Sequence, residues 1–165
     1  MGHRPGAGGG DRVAQRRPGH AAWLAVVALG AVPVAWAAAA LGAGIVASDW
    51  PLRDVAGLVL WSVSEEVVFR GGIQTALARV PAIAKRHLAG PGGSAGTVTL
   101  ANALTSVLFA TAHLWHKSAL VAAAVFPVSL VLGASLERTG LLRVPAALHT
   151  WFNLLLYAAS AWHAA

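Results

Sequence analysis

Glu65 and Glu66 stand with Arg70 inside an otherwise apolar stretch that runs from Val55 to Leu77. A stretch of this length can cross a bilayer. A charge held at mid-bilayer costs from about three to more than ten kcal/mol, so residues of this kind are functional by default. On a helix Glu66 and Arg70 are i and i+4 with the acid first, the favourable order for an ion pair. Glu65 lies about 100° around the helix from Glu66. Arg70 can thus neutralise Glu66 and leave Glu65 to act as a base. The alternative is a structural ion-pair knot that holds helices together.

Three more polar side chains interrupt apolar segments: His113, His149 and Asn153. A lone membrane histidine often serves only as an interhelical hydrogen-bonding group. Two of them together with a glutamate pair suggest more. His149 and Asn153 are i and i+4 and share a helix face, as do Phe109 and His113, where the ring can wall a pocket. Converging from three helices, Glu65, His113, His149 and Asn153 would supply a base, two imidazoles and an amide donor. Such a set can activate water and stabilise an oxyanion, as amide hydrolysis requires. Depth counting gives one conflict. Glu65 and Asn153 fall near mid-membrane, whereas His113 is only about 6 Å along the helix from Lys117. Tilt, or a turn sunk into the bundle, must absorb a difference of about 10 Å in a core about 30 Å thick. Other hydrolase signatures are absent: there is no His-Glu-x-x-His run, no Gly-x-Ser-x-Gly elbow and no intramembrane aspartate pair. His87 and His116 read as loop residues with solvated roles.

The surrounding chain is built to hold these groups in lipid. Of its 165 residues 57% are hydrophobic and 11% charged, against about 25% charged in a soluble domain. The fold class that follows is all-α, a polytopic membrane bundle of about five transmembrane helices. A basic tail over residues 1–20 is expected to be disordered and cytoplasmic, and residues 21–165 to form one bundle. Helices are predicted over 21–47, 55–78, 97–115, 118–136 and 144–162. The first apolar run exceeds the 7–15 residues of a signal-peptide core and reads as an uncleaved anchor. Asp49 and Pro51 can start the second helix, Gly90 to Gly93 form a linker, and Pro127 should kink the fourth. The net charge of +6 does not point to nucleic acid, because the basic residues flank apolar segments. Nine Lys and Arg fall on one side of this topology and two, Arg53 and Lys117, on the other. The positive-inside rule then places the N-terminus in the cytoplasm. The seven tryptophans fit interfacial or packed positions. With no cysteine, disulfides, thiolate metal sites and a thiol nucleophile are excluded. No pattern assigns an oligomeric state.

Taken together these residues resemble the CPBP family of intramembrane proteases. That family includes the CAAX prenyl endopeptidases that process Ras-type proteins, and the bacterial Abi and bacteriocin-immunity proteins. Its three motifs, Glu-Glu-x-x-x-Arg, Phe-x-x-x-His and His-x-x-x-Asn, are matched in order by Glu65 to Arg70, Phe109 to His113 and His149 to Asn153. The Gly133…Glu137-Arg138-Thr139-Gly140 stretch is similar too, and the likeness spans about residues 55 to 158. It implies a glutamate-dependent endopeptidase in a bacterial inner or plasma membrane, acting on a membrane-associated protein or peptide. Glu65 would be the general base. His113, His149 and Asn153 would position water and hold the oxyanion, while Glu66, Arg70 and Phe109 support the site. No cofactor is expected. The alternative is a divalent metal such as zinc on Glu65, His113 and His149; Asn153 beside them suits an oxyanion hole better than a ligand set. One helix precedes the core where eukaryotic prenyl proteases carry more. The chain thus resembles the processing proteases of bacterial C-terminal sorting systems, such as the one paired with JDVT-CTERM tails. The competing class is a non-catalytic membrane scaffold, a bacteriocin-immunity protein or a small transporter, none of which needs Glu65 and both histidines to converge.

Overall fold

In the computed structural model, residues 20–40, 52–84, 86–88 and 98–164 are described. The tail over 1–19, the end of the first apolar run with the turn at Ser48 to Pro51, and the glycine linker lie outside the described residues. The element order is α1 (His20–Ala40), α2 (Leu52–Glu66), a π-helical segment (Val67–Gln74), α3 (Thr75–Arg79), α4 (Pro81–Ala84), β1 (His87–Leu88), β2 (Val98–Thr99), α5 (Leu100–His113), α6 (Ala119–Thr139) and α7 (Arg143–Ala164). The fold is all-α, apart from two short antiparallel strands in which His87 faces Thr99 and Leu88 faces Val98.

Local chemistry sets the helix ends. Thr99 Oγ1 accepts the Asn102 N–H and starts α5. Ser118 Oγ accepts the Val121 N–H and starts α6. Gly140 ends α6 at φ 67°, the left-handed geometry that glycine adopts without steric cost. α6 continues through Pro127 and is, among the described residues, the helix long and apolar enough to cross a membrane by itself. The expected second helix is not one continuous α-helix. Its hydrogen-bonding register changes at Val67, directly after the glutamate pair, and returns at Thr75. Gly71 and Gly72 and three branched residues offer poor α-helical propensity there. Thr75 Oγ1 donates to the Arg70 carbonyl at 2.8 Å, taking up an acceptor inside the altered turn. α5 is also shorter than expected, with 14 residues, or about 21 Å. Leu114 to Lys117 form the turn that follows.

α5 and α6 pack closely through small and polar residues. Asn102 Nδ2 donates to the Leu130 carbonyl at 3.0 Å, and Ser106 Oγ donates to Asn102 Oδ1 at 3.2 Å. Gly133 lies against the Asn102 side chain. Thr105, Ser129 and Ser135 are fully buried nearby. Small residues and interhelical hydrogen bonds are how helices associate in lipid, where apolar burial gives no drive. The outward face is apolar, with Leu60, Val67, Val68, Leu108 and Leu120 exposed, as a lipid-facing surface requires. α7 packs on α1 and α2, and Trp151 donates to the Ala28 carbonyl at 3.1 Å. At the far end Glu137 accepts hydrogen bonds from Thr99 and from Gln74 Nε2, joining α6 to β2 and to the end of the π-helical segment.

Candidate active site

Glu65 and Glu66 close α2, one on each side of the boundary between cleft and core. Glu66 and Arg70 are both completely buried and form an ion pair, Oε2 to Nε, of 3.2 Å. Arg70 Nη2 donates to Ser129 Oγ at 2.7 Å and to the Ser129 carbonyl at 2.9 Å. Its guanidinium carbon sits 4.7 Å from the Phe109 ring centroid. The cation is therefore held by a carboxylate, by α6 and by a ring face, compensation that a buried charge needs.

The other Glu66 oxygen, Oε1, lies 2.8 Å from His149 Nδ1. A carboxylate oxygen in an ion pair accepts, so the geometry has His149 Nδ1–H donate to it. His149 Nε2 then faces Glu65, at 3.5 Å from Oε2. That distance exceeds a good hydrogen bond. His113 has a similar commitment: Nδ1 is 2.9 Å from the Phe109 carbonyl, which can only accept. Each imidazole thus leaves Nε2 for other partners. Asn153 Nδ2 donates one hydrogen to Ser62 Oγ at 2.9 Å, and Ser62 passes the bond on to the Leu58 carbonyl at 2.8 Å. The second Asn153 amide hydrogen is not used in that chain.

Glu65, His113, His149 and Asn153 line one open cleft of about 410 Å³, together with Trp61, Asp54, His116, Lys117 and Tyr157. The α5–α6 turn is exposed, and its His116 and Lys117 border this cleft, so His113 lines the same space as Glu65 and Asn153 although it stands close to the turn. His116 lies exposed in the α5–α6 turn, as its loop reading expects, yet its ring centroid is 5.6 Å from that of His113 and it lines the cleft. Phe109 does not wall the cleft. It is buried beneath it, in ring contact with Phe69, His113 and His149 at 4.8, 4.7 and 5.7 Å. Glu65 also accepts a hydrogen bond from Trp61 Nε1 at its Oε1, at 2.8 Å. Ser62, Ser129 and Trp61 escaped the sequence reading. Only Trp61 carried a local signal, its i, i+4 spacing to Glu65. Among the described residues no three His, Asp or Glu side chains are grouped to hold a metal ion, Glu65, His113 and His149 included.

The sequence model of one protein family, described as type II CAAX prenyl endopeptidase Rce1-like, matches residues 47–155. The chain belongs to this Rce1-like family. No curated protein and no solved structure matches. The Rce1-like match runs from before α2 into α7 and takes in every residue of the cleft named above except Tyr157. Membership identifies the chain as a membrane protein of the intramembrane protease type.

Proposed function

We propose that the chain is a glutamate-dependent intramembrane endopeptidase. The observation that carries this reading is the gathering of Glu65, His113, His149 and Asn153, from three helices, along one cleft. Glu65 Oε2 and His149 Nε2 flank the place where a water is activated. Glu65 takes a proton from that water as its oxygen attacks the peptide carbonyl carbon, forming a tetrahedral oxyanion. The remaining Asn153 N–H donates to the oxyanion. Collapse breaks the C–N bond, and the proton held on Glu65 passes to the leaving amine. Glu66 holds His149 in one tautomer and orientation, and Arg70 holds Glu66. The step needs no metal. Support for this comes from the donor set, since both histidines commit Nδ1 elsewhere and the amide of Asn153 suits an oxyanion.

The substrate we infer is a membrane-associated protein cut near its C-terminus, with JDVT-CTERM-like sorting tails as the first to test. Five spans in a bacterial inner or plasma membrane, with the N-terminus in the cytoplasm, fit the basic loops. The test is turnover of a fluorogenic sorting-tail peptide by the purified protein in nanodiscs, with and without a strong chelator. Glu65→Gln keeps the shape but cannot accept a proton, and should lower kcat by about 10²- to 10⁴-fold. Wild-type activity should survive the chelator. Activity abolished by chelation and restored by zinc would favour a two-His-one-Glu metal site. Activity retained in Glu65→Gln would remove Glu65 from the chemistry and favour a scaffold.

A further inference from the structure

Trp61 lies one helical turn before Glu65 on α2 and is 62% exposed. In a lipid-facing position an indole N–H ordinarily seeks the headgroup region. Here it turns to the carboxylate instead, with Nε1 2.8 Å from Glu65 Oε1. The two oxygens of Glu65 are thereby made different. Oε1 is held by the indole, and Oε2 is the oxygen on the His149 side, 3.5 Å from Nε2. Ser64, next to Glu65, cannot take over this task because its hydroxyl donates to the Leu60 carbonyl at 2.8 Å.

We propose that Trp61 is the positioning residue of the base: its N–H fixes the rotation of the Glu65 carboxylate so that Oε2 faces the reacting water. This deepens the endopeptidase reading and rests on it. An indole N–H donates a hydrogen bond but does not transfer its proton at working pH, so Trp61 is no acid or base itself and acts on the chemistry by holding Glu65. A free carboxylate rotates about its last bond, and such terminal torsions are broad. Loss of the N–H therefore costs alignment of the base and leaves the walls of the cleft in place. Trp61 also borders a second groove of about 360 Å³, lined by Val68, Phe69, Trp115 and His116 among others, so its ring helps separate two spaces that both reach Glu65.

Trp61→Phe keeps an aromatic body in this wall and removes the donor. With the same fluorogenic peptide, kcat should fall about ten- to hundredfold, the scale of a small misplacement of a reacting group. KM should stay within about twofold, since substrate binding is untouched. Trp61→Gln restores a donor at i, i+4 without the ring and should recover part of kcat. A purely structural Trp61 predicts the reverse order, Phe better than Gln. A second readout needs no substrate. The Trp61 indole N–H resonance, assigned by its loss in Trp61→Phe, should move upfield in Glu65→Ala. An unmoved resonance, or Trp61→Phe with wild-type kcat while Glu65→Gln is dead, overturns the positioning role and leaves the endopeptidase reading standing. An active Glu65→Gln overturns that reading instead.

Discussion

At the scale of single residues, Glu66 links structure to chemistry. One of its oxygens meets Arg70 at 3.2 Å and the other His149 at 2.8 Å. Breaking the buried pair from the Arg70 side leaves an uncompensated carboxylate and costs about 3–5 kcal/mol. Arg70→Ala should therefore lower the amount of folded protein recovered from membranes, measured by detergent-solubilised yield and thermal stability. Arg70→Lys keeps the charge but is a single point donor that cannot span Glu66 and Ser129 together, so it should recover only part of the loss. If Arg70→Ala accumulated normally and lost turnover alone, Arg70 would belong to the chemistry. The sequence revealed those pairs that lie on one helix. The i, i+4 spacing anticipates Glu66 with Arg70, although the turn between them is π-helical, and it anticipates the shared face of His149 and Asn153. It did not reveal His149 with Glu66, Asn153 with Ser62 or Arg70 with Ser129. Those pairs depend on the rotation and depth of one helix against another, and no periodicity within a single segment records either.

At the scale of elements, the π-helical segment and the Gly133 contact decide whether these side chains can meet. Changes from α- to π-register are common at functional sites, and this one begins directly after the glutamates and contains Arg70. Helix spacing alone could not announce it, because the apolar pattern of an α-helix runs on through Val67, Val68 and Phe69. Gly133 has a plainer role. A Cβ there would lie 2.0 Å from Asn102 Oδ1 and 2.4 Å from its Cγ. Asn102 cannot swing away freely, being bonded to Leu130 and Ser106. Gly133→Ala should therefore push α5 from α6 and cost about 1–3 kcal/mol, read as a lower melting temperature. Turnover should fall as well, because α5 carries His113. Asn102→Gly in the same chain removes the obstructing side chain and should restore part of the stability relative to Gly133→Ala alone, a non-additivity that identifies the contact. Two additive losses would mean that Gly133 matters for another reason.

At the scale of the whole molecule, the charges and the cleft make one linked statement about orientation. Asp54, Lys117 and Tyr157 line the same cleft as Glu65. Lys117 sits in the α5–α6 turn, and Leu141 in the turn that joins α6 to α7, at opposite ends of α6. The basic residues collect on the Leu141 side, with Arg138 and Arg143 flanking that turn. The positive-inside rule predicts that the Leu141 side is cytoplasmic and that the cleft, which Lys117 lines, opens on the opposite face. The chain has no cysteine, so a single introduced thiol reports its own position without background. In intact cells a membrane-impermeant maleimide should label Lys117→Cys and leave Leu141→Cys untouched until the cells are opened. Lys117→Cys removes one of the two basic residues on the side predicted to be outer, which can only strengthen the bias being tested. Labelling of both in intact cells would mean that α6 does not separate the two turns across a bilayer. The reverse pattern would turn the bundle over, and the peptide bond to be cut would then be presented from the cytoplasm.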